Sequence, residues 1–302
     1  MNNHQHVNFR GHISADSFDP GIRQSWRESA RYWEALRAHH TYSNDREMLI
    51  ATMTALISRQ ESLQRAERIR ILDIGCGDGE VAGRILGSLG TRSDIDYVGL
   101  DKSEAILSLT ENRIRQRSGG NPSILLLSRD FGSQDWNTWP SGEHSSFDMI
   151  WLLHSGYYLE SGHGRLLADL ASLLLGEGMI VLMHNPEGNE PFRIAAHEQG
   201  LEFFSVPYAR EIRMPAVTPE VFDILSRNPE SFDDFDLSHG RVPGARAMRL
   251  LLEFYLPDYP LDALSENDRS RYIENWRRHL LACDGCFRND HEMLVITNPA
   301  LP

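Results

Sequence analysis

Gly75, Gly77 and Gly79 alternate with Cys76 and Asp78 directly after an apolar run that carries Asp73. A short buried strand that ends in such a turn brings backbone amides up to a ligand, because glycine leaves no Cβ where the chain turns sharply. The chemistry on offer is that of a nucleotide-like ligand held against backbone. Gly79 comes two residues after Gly77, whereas the dinucleotide fingerprint needs three, so a nicotinamide cofactor fits poorly. Asp101 closes the next apolar run, where a carboxylate can accept hydrogen bonds from both hydroxyls of a ribose. A third run delivers Asp130 and Phe131, and a fourth delivers His154, Ser155, Gly156, Tyr157 and Tyr158. An imidazole there can be neutral at cytoplasmic pH, able to accept a proton or orient an amine, or simply to hydrogen-bond at a strand end. Tyr157 and Tyr158 can wall a pocket and meet a cation with their ring faces, or fill the core. His184 borders the same crevice and reads as a hydrogen-bonding loop residue.

The elements that position these groups follow from periodicity. Continuous apolar runs at residues 95–100, 123–128, 148–153 and 179–183 read as buried parallel strands, with helices at 80–89 and 164–175. Residues 186–191, bounded by two prolines, read as a loop. Upstream, residues 18–68 are helical, with Leu49, Met53, Leu56 and Ile57 on one face, and form a lid over the active-site mouth. Between its helices Ser43 or Asn44 can cap the next helix, and Asp45 or Glu47 can meet a substrate cation. After about residue 201 the alternation weakens. Residues 203–208 read as the start of an insertion, followed by helices at 218–225, 248–256 and 269–281, and residues 292–297 read as a last strand that completes the sheet. The expected organisation is a helical segment over 1–68, a cofactor-binding core over 69–200, and a substrate-side insertion with the final strands over 201–302.

Composition narrows the function classes. The chain has 302 residues and a formal net charge of −13, which argues against nucleic acid or an anionic membrane as partner. No apolar run approaches a membrane span and the first ten residues lack the apolar core of a signal peptide, so a cytoplasmic protein is expected. Only Cys76, Cys283 and Cys286 are present, too few for a disulfide framework. Cys283 and Cys286 have metal-ligand spacing but form half of a tetrahedral site at best, so no metal is expected.

The Asp-x-Gly-x-Gly-x-Gly pattern resembles the first motif of the class I S-adenosylmethionine-dependent methyltransferases. That resemblance implies an α/β, Rossmann-like fold: a mostly parallel seven-stranded sheet with helices on both faces, a helical N-terminal lid and a C-terminal insertion. It also implies S-adenosyl-L-methionine as cofactor, held by Asp73, Gly75, Cys76, Gly77, Asp101, Lys102 and Leu153, with Asp130 and Phe131 at the adenine. Over most of its length after the first helix the chain is similar to the histamine N-methyltransferase group. The similarity rests on residues 71–80, Asp101-Lys102-Ser103, residues 147–150 through Tyr157-Tyr158, residues 249–254, and residues 287–291 leading into 293–296. It implies that Asn289, Tyr157 and Tyr158 hold the substrate, with Glu47 or Asp45 in the place of that group's N-terminal acid. His154 stands where the group has a glutamine, a departure that points away from histamine itself and offers a proton acceptor. The expected reaction is N-methylation of a small amine or imidazole by a monomer or small homo-oligomer. O- or C-methylation of another metabolite, and a catalytically silent cofactor-binding module, are the alternatives.

Overall fold

The computed structural model describes residues 30–90, 94–118, 121–131, 136, 146–153, 155–156, 162–214, 218–227, 243–255 and 261–298. Its strands are β1 (Arg68–Ile74), β2 (Asp94–Asp101), β3 (Ser123–Ser128), β4 (Phe147–Leu153), β5 (Leu174–His184), β6 (Glu202–Arg213) and β7 (Cys286–Thr297). They form one seven-stranded sheet in the order β3-β2-β1-β4-β5-β7-β6. β1 pairs in parallel with β2 and β4, β2 with β3, and β4 with β5, while β7 runs antiparallel to β5. The chain thus winds outward in one direction from β1 to β3 and restarts in the other at β4. The carboxyl ends of β1 and β4 flank the point of reversal, where such sheets bind ligands.

The chain divides into two compact units, one of residues 47–209 and 290–302, the other of residues 1–46 and 210–289. In the first unit the central strands are buried on both faces and sort their side chains by parity, as a period of two requires. Ile71, Tyr97, Met149, Trp151, Val181 and Val295 point to one face, packed with Leu49, Met53 and Ile57 of α2 (Asp45–Arg59) and with Ile85 and Leu86 of α4 (Glu80–Leu89). The short α3 (Glu61–Arg65) leads into β1, and α5 (Glu104–Arg117) adds Ile114 to the same layer. Leu72, Val98, Ile150, Leu182 and Leu294 point the other way, onto α6 (His163–Ala171) and α7 (Pro186–Glu198). Each fully buried aliphatic side chain contributes about 1.5–3 kcal/mol. The apolar face of α2 is therefore spent on the sheet.

The second unit is helical: α1 (Ala30–Tyr42), α8 (Pro219–Arg227), α9 (Pro243–Tyr255) and α10 (Glu266–Ala282) surround Trp276, Met248, Leu251 and Phe222. Its interior also holds an ionic network. The Glu253 carboxylate, fully buried, accepts from Arg31 Nε at 2.8 Å and faces Arg249 Nε at 3.3 Å, and Asp262 accepts from both arginines. Burial pushes the Glu253 carboxyl up, and the two guanidinium groups oppose that shift. His39, stacked on Phe254 with ring centroids 4.3 Å apart, lies 3.6 Å from Asp45 and shares a 2.9 Å hydrogen bond with Tyr255. Where this unit joins β6 and β7, the amide of Met214 donates to the carbonyl of Gly285 at 2.7 Å.

Three elements differ from the sequence expectation. The helix expected over 164–175 stops at Ala171, because the amide of Phe147 takes the carbonyl of Leu173 and Leu174 already pairs with β4. The expected loop at 186–191 opens a helix: Asn185 caps it by accepting from the amide of Gly188 at 3.0 Å, Pro186 takes the first-turn position, and Phe192, Ala195 and Ala196 bury its inner face. Residues 203–208, expected within an insertion, belong to β6, at one edge of the sheet.

Candidate cofactor site

The glycine turn between β1 and α4 is fixed by its own backbone. The amides of Gly75 and Cys76 both donate to the carbonyl of Leu100 at 2.7 and 2.9 Å, which ties the end of β1 to the end of β2. Gly75, Gly77 and Gly79 all have positive φ, at 74°, 56° and 73°. A Cβ on Gly75 would lie 2.5 Å from the Cβ of Ser155, and one on Gly79 would lie 2.8 Å from the carbonyl oxygen of Thr110. These two glycines are required by packing. Gly77 differs: a Cβ there would meet nothing within 4 Å. The turn is closed on both sides and open at its middle, which is where a ligand can lie against backbone.

Asp101 stands beside that opening. Its Oδ2 accepts from the amide of Gly77 at 3.1 Å and its Oδ1 from the amide of Ser103 at 2.9 Å. Thr110 holds the turn from beneath by donating to the carbonyl of Gly77 at 2.6 Å, and Arg113 forms an ion pair with Asp78. Two amide contacts thus orient the carboxylate while the open glycine lies next to it, an arrangement that suits the ribose of a nucleoside cofactor. Asp130 is exposed just beyond β3, Phe131 packs at the edge of the α6/α7 layer, Lys102 is exposed, and Leu153 is buried at the end of β4.

Asp73 lies almost wholly buried under the turn, and its Oδ2 accepts from the Tyr97 hydroxyl at 2.7 Å. Burial pushes its carboxyl up to about 7; the Tyr97 hydrogen bond works against that shift and the charge of Asp101 adds to it. Cys76 and Tyr97 are each held well above their ordinary values, burial first and the Asp73 charge second, so both stay neutral hydrogen-bonding groups. Gly99 faces Asp73 across the β1/β2 register, and a Cβ there would come within 3.0 Å of both the Cys76 sulfur and the Tyr97 ring. Tyr97 escaped the sequence reading. Its signal was the period of two in β2, which places Tyr97, Gly99 and Asp101 on one face.

Of the expected substrate groups, Glu47 is exposed and pairs with Arg84 at 2.9 Å, and Asp45 is buried beside His39. His154, Tyr157 and Tyr158 lie outside the described residues, as does the side chain of Asn289, whose backbone runs in β7. His184 accepts from the amide of Asn185 at 2.7 Å. Cys283 and Cys286 flank a tight turn, with the amide of Cys286 donating to the carbonyl of Cys283 at 3.1 Å. Among the described residues no three His, Cys, Asp or Glu side chains gather as a metal site requires.

The sheet order, the turn and its acid give the core a Rossmann-like methyltransferase fold. Residues 72–180, about a third of the chain, match the family model described as "Methyltransferase domain", and the core is a methyltransferase domain that uses S-adenosyl-L-methionine. No curated protein sequence matches the chain. Among solved structures it is similar to a S-adenosylmethionine-dependent methyltransferase from Thiobacillus denitrificans in complex with S-adenosyl-L-homocysteine, at 14% identity and a TM-score of 0.43, covering 83% of this chain and 90% of that one. It is also similar to YjhP from E. coli, at 14% identity and a TM-score of 0.43, covering 82% of this chain and 92% of that one. Likenesses of this depth carry nothing further about substrate.

Proposed function

We propose that the chain transfers the methyl group of S-adenosylmethionine to the nitrogen of a small amine or imidazole. The observation that carries the cofactor half is the opening at Gly77 with the Asp101 carboxylate fixed beside it. The acceptor half rests on the similarity of residues 147–158 and 287–296 to the histamine N-methyltransferase group, and the net charge of −13 favours a cationic substrate over an anionic one.

When bound, the cofactor supplies an activated methyl on a sulfonium, so the protein's task is to bind and orient. Gly75, Cys76 and Gly77 present backbone to it, Asp101 accepts from its ribose, and Lys102, Asp130, Phe131 and Leu153 border it. A nitrogen nucleophile must be neutral to attack, and His154 takes or orients its proton. Tyr157, Tyr158 and Asn289 fix the substrate, and Glu47 attracts its charge. The protein works in the cytoplasm on a small molecule, with no nucleic-acid or membrane partner, as a monomer or small homo-oligomer.

The test is a methyl-transfer assay with purified chain and S-adenosylmethionine against a panel of amines, imidazoles, phenols and carboxylates. Transfer to amines or imidazoles is the expected result. Transfer confined to phenols or carbon acids refutes N-methylation, and cofactor binding without any acceptor refutes the enzymatic reading of the whole chain.

A further inference from the structure

Four titratable groups meet under the cofactor turn. From β1 comes Asp73, from the turn Cys76, and from β2 Tyr97 and Asp101; β4 faces Asp73 with the uncharged Trp151. Only one of these contacts is a hydrogen bond to the Asp73 carboxylate in the described geometry, the 2.7 Å bond from Tyr97. Two carboxylates, one of them buried, therefore stand at neighbouring strand ends with a single phenol between one of them and an uncompensated charge. The charge of Asp101 adds to the burial that opposes ionisation of Asp73, and a cation brought to Asp73 favours its charged form.

We propose that Asp73 is a proton-linked switch for cofactor binding, with Tyr97 its positioning residue: the apo chain carries a proton on Asp73, and binding expels that proton to solvent as the cationic cofactor arrives at Gly75–Gly77. This rests on the assignment of S-adenosylmethionine to the glycine turn. Tyr97 holds the carboxylate toward β2 and stabilises its charged form, so it sets the pH at which the switch operates. Burial supports the same reading, since it drives the Asp73 carboxyl to about 7, within reach of physiological pH.

Calorimetric titration of the full chain with S-adenosylmethionine, from about pH 6 to about pH 8 in two buffers of different ionisation heat, counts the protons released. Binding should tighten about tenfold across that range, with most of one proton released at the acid end and little at the alkaline end. Asp73→Asn should bind with an affinity that no longer depends on pH. Tyr97→Phe should keep the dependence and move its midpoint to higher pH, so that affinity at neutral pH falls severalfold. A merely structural Tyr97 would weaken binding equally at every pH. Flat wild-type affinity with no proton release overturns the proposal, as does an Asp73→Asn variant that keeps the wild-type slope; the proton count needs no variant, so misfolding cannot obscure it. Absence of binding at every pH would instead overturn the assignment of the cofactor to this turn.

Discussion

Alanine at Gly77 and at Gly79, in separate variants, divides what the turn does for folding from what it does for the ligand. Both positions have positive φ, so either alanine adds about 1–2 kcal/mol of left-handed backbone strain, less the gain of about 0.4–1 kcal/mol from a stiffer unfolded chain. At Gly77 there is no further cost, because the new methyl meets nothing within 4 Å. At Gly79 the methyl would sit 2.8 Å from the Thr110 carbonyl and 2.9 Å from its Cα, backbone atoms that cannot swing away. Overpacking of that kind adds about 1–3 kcal/mol. At about 2–4 °C per kcal/mol for a chain of this size, Gly77→Ala should melt within about 6 °C of wild type and Gly79→Ala roughly 2–12 °C below Gly77→Ala. Saturating S-adenosyl-L-homocysteine, at about a hundred times its Kd, should stabilise wild type by about 2.7 kcal/mol. Gly77→Ala should lose that increment, because its methyl fills the space the ligand needs. Thermal melting with and without the ligand reads both effects. A Gly77→Ala variant that responds to ligand like wild type would falsify the placement of the cofactor against Gly77.

Asp73→Asn should change how stability depends on pH. The buried carboxyl is raised from 3.8 to about 7, so its contribution is fully present below about pH 4 and is lost as pH rises through about 7, at up to about 1.4 kcal/mol per pH unit. The apo wild type should therefore melt lower at pH 8 than at about pH 5, and the variant should lack that component; identical pH profiles would count against it. Glu253→Ala leaves two guanidinium groups facing an empty site and should cost about 3–5 kcal/mol in chemical denaturation. A loss under about 1 kcal/mol would show that water reaches the network. Asp101→Ala should weaken S-adenosyl-L-homocysteine binding by more than tenfold in calorimetry, about 1.4 kcal/mol or more, and lower the melting temperature by several degrees through loss of the Gly77 and Ser103 amide bonds. His154→Ala should lower kcat with the cofactor Kd unchanged; unchanged turnover on the true acceptor would remove His154 from the chemistry.

The cofactor half of the molecule was legible because every signal in it is local. β1, the glycine turn and α4 follow one another within 22 residues, and strands buried on both faces leave continuous apolar runs such as residues 148–153, which fall within β4. β6 left no such run. At one edge of the sheet it exposes Phe203 and Phe204 in succession, so neither alternation nor continuous burial marks it, and Pro207 argues against a central strand. α7 was hidden by Pro186 and Pro191, although the first stands where a helix tolerates it and Asn185 supplies the cap. The partnership of Asp73 with Tyr97 was out of reach for another reason: it depends on the register that sets Asp73 opposite Gly99, and sequence alone gives strands without registers. Pairing of α1 with α9 through Arg31 and Glu253 likewise joins residues too far apart in the chain for any local pattern to announce.

The hydrogen bond from Met214 to Gly285 bears on how the sheet is assembled. β5 and β7 pair Val181 with Val295, a contact between residues more than a hundred positions apart, and such contacts slow folding because a long loop must close before they form. The helices between β6 and β7 bridge part of that separation. Met214 and Gly285 clip the two ends of that segment together, and the strands that precede and follow them lie side by side in the sheet. A connection of some seventy residues is thus closed at its base as a tight turn is.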